Sequence, residues 1–83
     1  MPSAPVIDWN HDEHDIEWAW ADPDPVQWRV ESADDDGGPW GTESLIPGSD
    51  RTCYPEFEMW YRITGVDAGN VPTTPPSNAV FCS

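Results

Sequence analysis

Proline and glycine recur along this chain too densely for a long helix to run between them. Ten prolines and six glycines are spread over 83 residues. A proline inside a helix removes a hydrogen bond and clashes with the preceding turn. No window carries apolar residues at i, i+3, i+4 and i+7 over three turns. The apolar residues alternate instead. "VIDW" sets Ile7 and Trp9 on one face, and "DIEWAW" sets Ile16, Trp18 and Trp20 on one face with Glu17 and Ala19 opposite. "VQWRVES" directs Val26, Trp28 and Val30 inward and Gln27, Arg29 and Glu31 outward. "EMWYRITGV" places Met59, Tyr61 and Ile63 on one face, and Trp60, Arg62 and Thr64 on the other. "WGTESLI" reads as a weaker strand, "DRTCY" as a short one, and "NAVFCS" as the last. Between them stand "ADPDP", "DDDGG", "PGSD", "DAGN" and "TTPPSN", where Asp and Asn bond their own backbone and proline ends ladders. About seven short strands with turn clusters at this spacing predict an all-β, seven-stranded antiparallel β-sandwich.

A chain of this length forms one domain, residues 1–83, and buries only somewhat over ~60% of the surface its unfolded form exposes. Its core side chains must therefore be large, and the six tryptophans meet that need. Residues 1–5 of "MPSAPV" read as an extended, uncharged arm suited to lying along another subunit. The initial Met fits either a complete small protein or a domain given a new start.

Sixteen Asp and Glu stand against three arginines and no lysine, for a net charge of −13. Phosphate backbones and anionic lipid are held through Lys and Arg, so nucleic-acid and membrane-surface roles are excluded as expectations. The charge favours solubility and adds self-repulsion that salt relieves. Lysine-free, aspartate-rich composition is met in halophilic proteins, and a GC-rich genome gives the same balance. No apolar run is long enough to span a bilayer, and no N-terminal signal peptide is evident.

The order of several motifs resembles a fibronectin type III domain. These are "IEWAWADPDP" with Trp20 and Pro23, "VQWRVES" with Trp28 and Val30, "YRITGVDAGN" from Tyr61 to Gly69, and "PPSNAV" with Pro76 to Asn78. The resemblance runs from about Pro5 to Phe81 and implies an immunoglobulin-like sandwich. One departure stands out. The tyrosine that ties the corner before the sixth strand in that family falls on Met59, leaving Tyr54 or Tyr61 to compensate, or the turn to be rebuilt around "YPEFEM". No Arg-Gly-Asp tripeptide is present, so integrin binding is not implied. The family's strand order would put Cys53 and Cys82 in different sheets, towards opposite edges. A disulfide between them would need Cα atoms within about 7 Å. The alternative is one buried thiol and one frayed terminal thiol.

"NHDEHD", Asn10 to Asp15, sets His11 and His14 among carboxylates. Zinc sites need three or four donors converging from a helix or from neighbouring strands, whereas these donors crowd one turn. It reads as a solvated acidic turn before a strand that begins at Ile16. "DDDGG" lacks the flanking helices and spacing of a calcium loop and reads as a hairpin with glycines at positive φ. No metal and no cofactor are expected. No nucleophile elbow or phosphate loop is present, and so small a sandwich has little room for a water-excluding cleft, so no enzyme is expected.

Trp9, Trp18, Trp20 and Trp28 are assigned to the core. Trp40 and Trp60 are the exposed candidates, and with Arg62 they form the expected partner-binding set, since Trp and Arg are enriched at interface hot spots. The expected partner is another protein subunit, with a surface glycan as rival. The resemblance further implies a virion surface protein, a capsid decoration or tail- or fibre-associated subunit, because small free-standing domains of this kind are frequent in tailed viruses. The alternative is an extracellular spacer or carbohydrate-contacting module of a larger secreted enzyme or adhesin.

Overall fold

A computed structural model describes residues 4–56 and 58–83. Its seven strands are β1 (Val6–Asn10), β2 (Asp15–Ala19), β3 (Gln27–Ala33), β4 (Gly41–Pro47), β5 (Thr52–Cys53), β6 (Met59–Val66) and β7 (Val80–Cys82). They form two antiparallel sheets, ordered β1-β2-β5 and β4-β3-β6-β7. No helix occurs among the described residues. The fold is all-β and sandwich-like, since one core cluster draws Ile7, Ile16 and Trp18 from the first sheet and Trp28, Val30, Tyr61 and Ile63 from the second.

Tryptophans join the two layers. Trp28 is fully buried, and its indole N–H donates to Gly48 O at 3.0 Å, so burial strands no donor. Trp18 meets it edge-on from the facing sheet at 5.9 Å between ring centroids, and Trp20 does so at 5.3 Å. Trp20 is only half-buried and lies just beyond β2, its N–H bonded to Pro23 O, so it closes one end of the core. Trp9 is half-buried and packs against the same cluster. Val26 corrects the alternation: it precedes β3 and is 60% exposed. Asp15 corrects the reading of the acidic turn. It opens β2 and is buried, its Oδ2 accepting from Thr52 Oγ1 at 3.1 Å.

Proline shapes the route after β6. Segment 72–79 returns beside that strand with Pro72, Pro75 and Pro76 in it, so a full backbone ladder cannot form. Hydroxyls complete the pairing. Gly65 N–H donates to Thr74 Oγ1 at 2.9 Å, Ile63 N–H donates to Ser77 Oγ at 2.9 Å, and Ser77 N–H donates to Ile63 O at 2.8 Å. Asn78 then clamps β1, accepting from Ile7 N–H and donating to Ile7 O.

The corner tie that falls on Met59 by resemblance is supplied two residues on. Glu56 N–H donates to the buried Tyr61 hydroxyl at 2.9 Å, while Tyr54 is exposed. Cys82 is fully buried rather than frayed, because Cys82 O accepts from Glu58 N–H and holds the chain end against β6. The 34–40 loop corrects the hairpin reading in one detail: Gly38 alone of its two glycines has positive φ. Of the expected arm, residues 1–3 lie outside the described residues, Ala4 is exposed and Pro5 is fully buried.

Candidate interaction face

The outward phases of β3, β6 and β7 give the four-stranded sheet an outer face. Antiparallel register sets Glu31 opposite Arg62, Ala33 opposite Trp60, and Trp60 opposite Phe81. The sequence pattern assigns Glu31 to solvent, but it is 6% exposed. Its Oε1 lies 3.2 Å from Arg62 Nε and 3.8 Å from Arg29 Nε, and it accepts from Thr64 Oγ1 at 3.1 Å. A carboxylate removed from water needs such partners, because an unpaired buried charge is strongly destabilising. Two of the chain's three arginines are thus drawn to one of its sixteen acids. The third, Arg51, pairs with Asp24 and donates to the carbonyls of Gly48 and Asp50.

Trp40, just ahead of β4, brings its ring over Arg62, with the guanidinium carbon 4.5 Å from the ring centroid. This geometry lies within the cation–π range. Trp60 meets Phe81 at 5.5 Å between centroids, with planes inclined at 62°. The expected trio Trp40, Trp60 and Arg62 therefore stands on one face, but none of it is freely exposed. All three are half-buried, because each is packed against a neighbour that the linear pattern does not reveal. The most exposed aromatic ring of the cluster is Phe81, 44% accessible. Sequence reasoning missed Phe81 and Glu31. Phe81 was legible as the outward member of "VFC", whereas the grouping of Arg29 and Arg62 on Glu31 depends on inter-strand register.

The acidic turn forms a separate small cluster. His11 and His14 approach edge-on at 5.8 Å between centroids, and His14 stacks on Trp9 at 6.4 Å. Asn10 Oδ1 accepts from the N–H groups of Asp12 and Glu13, which folds the turn locally. Among the described residues, no three His, Cys, Asp or Glu side chains are grouped to hold a metal ion. Cys53 and Cys82 are both free and buried, and burial pushes each thiol up to about 12, with the neighbouring Cys82 charge adding to the effect on Cys53. Thiols held this firmly protonated are poor nucleophiles.

No protein-family model, curated protein or solved structure matches this chain.

Proposed function

We propose that this chain is a non-enzymatic structural and binding module of fibronectin type III kind, docking on other protein subunits through the outer face of its four-stranded sheet. The carrying observation is the Trp40–Arg62–Glu31 group beside Trp60 and Phe81. Interfaces draw on this chemistry: aromatic area that is already ordered, and an arginine whose geometry is fixed before the partner arrives. The fold type has two supports. The fourth strand pairs with β3 rather than extending the β1-β2-β5 sheet, unlike the constant-type immunoglobulin arrangement. The Tyr61 hydroxyl ties the corner ahead of β6.

Its proposed place is the virion surface, as a capsid decoration or a tail- or fibre-associated subunit. Support comes from the family resemblance and from an acidic charge unsuited to phosphate or lipid partners. Quantitative mass spectrometry of purified particles from the source organism tests this placement. A fixed copy number matching a particle symmetry is expected, and absence from particles overturns it. Trp60→Ala tests the face. The variant should keep its circular dichroism and melt cooperatively, yet bind particles about 30-fold more weakly, the loss of a ~2 kcal/mol hot spot. Unchanged binding removes Trp60 from the interface. Fluorescence titration with polysaccharide separates the rival reading, a carbohydrate-contacting extracellular module.

A further inference from the structure

A second surface lies around the edge of the sandwich from the aromatic face. Strand β4 ends one sheet order and β5 ends the other, and the cleft between them encloses about 540 Å³. Val30, Ile46 and Tyr61 contribute apolar lining, while Glu43, Asp50 and Glu56 add carboxylates, and among the described residues no Lys, Arg or His lines the cleft. The β4 edge is long, with seven residues of which six are exposed, including Leu45 at 43%. The ladder phase is fixed at its end, where Gly48 N–H donates to Val26 O at 3.1 Å. In an antiparallel ladder the pointing direction alternates, so Ile46 turns its backbone groups to β3 and Leu45 turns its N–H and C=O outward. Among the described residues no strand pairs with that outer edge.

An unpaired edge of this length is a template for another strand unless it is guarded. The guard here is negative charge, from Glu43 on the strand and from Asp50 and Glu56 around the cleft. That arrangement selects its occupant. A second copy of this chain would bring carboxylates against carboxylates at a net charge of −13 each, whereas a cationic segment would neutralise them.

We infer that the cleft between β4 and β5 binds an extended cationic segment of a partner protein. The segment adds as a strand to the outer edge of β4, with apolar side chains over Val30, Ile46 and Tyr61 and Lys or Arg facing Glu43, Asp50 and Glu56. Backbone pairing supplies the affinity, while the apolar lining and the acids supply the selectivity. This site is independent of the Trp60 face.

Three blocked heptapeptides test it on the full chain: alternating lysine and valine, alternating glutamate and valine, and alternating lysine and proline. The lysine–valine peptide should bind and slow amide hydrogen exchange at Leu45 about tenfold or more. The glutamate–valine peptide should not bind. The lysine–proline peptide has the same charge, but its prolines fix φ near −65° and hold it near polyproline II rather than a strand, so it should leave Leu45 exchange unchanged. Leu45→Pro removes the outward N–H without touching the β3 ladder and should abolish binding of the lysine–valine peptide. Three outcomes overturn the inference: equal protection by the lysine–proline peptide, perturbation confined to the Trp60 and Arg62 face, or no binding of the lysine–valine peptide. The exchange measurement on the unsubstituted chain decides the question even if the proline variant fails to fold.

Discussion

Tyr61 shows how much one hydroxyl can organise. It sits in the core with its ring among apolar neighbours, and its oxygen accepts the Glu56 N–H across the turn into β6. Tyr61→Phe keeps the ring and leaves that N–H without its acceptor, which costs about 1–2 kcal/mol. A lower denaturant midpoint with an unchanged m-value is expected, and an unaltered midpoint would show that the bond contributes nothing. The residue was legible as a core position from alternation alone. Its second role was legible only as one of two candidates, Tyr54 and Tyr61, because Met59 occupies the place where the resemblance puts the tyrosine. Glu31 was misread for a related reason. Outward phase on a strand predicts solvent only where neighbouring strands carry short side chains, and here Arg29, Arg62 and Thr64 close over it.

Elements were easier to recover than single residues. All seven strands fall where alternation and turn chemistry place them, because each carries its own hydrophobic period and its own stop. Sheet membership was less accessible. The pairing of β3 with β6 and of β2 with β5 joins segments far apart in sequence, whereas that of β4 with β3 follows from the hairpin read at "DDDGG". Gly48 helps set this arrangement. An added Cβ there would lie 1.6 Å from Pro25 O, so β4 can end beside the Pro25–Val26 segment only with glycine. Gly48→Ala should push the end of β4 away and weaken the Trp28 indole bond to Gly48 O. A loss of about 2 kcal/mol or more is expected, as for other overpacked or strained sites, read by chemical denaturation. Trp28 side-chain N–H exchange should quicken in the same variant. A stability change within about 0.5 kcal/mol would mean that the two segments separate at little cost.

At the scale of the molecule, the buried thiols give the interior a pH limit. Both are raised from the ordinary thiol value of 9.0 to about 12, mainly by burial. An acid whose folded value is raised keeps its proton in the native state while the unfolded chain releases it. Stability is therefore fully present below pH 9.0 and falls as pH climbs towards about 12. The denaturant midpoint should drop steadily across that window. It should drop less in a Cys53→Ser, Cys82→Ser double variant. Identical slopes in the two proteins would remove the thiols from the explanation.

The commitment of all three arginines has a consequence for how this protein meets anything in solution. At a distance, an approaching body feels only an anionic object, with no cationic side chain held out to draw it in. Capture is thus filtered in two stages set by distance. Out to about a Debye length, ~8 Å at physiological salt, only a partner's own basic surface speeds the encounter. Within contact, Arg62 can answer an acidic or aromatic group, and only then is the aromatic face read. Raising ionic strength weakens the first stage and leaves the second largely intact, so association rates carry the salt dependence while residence times are set by packing.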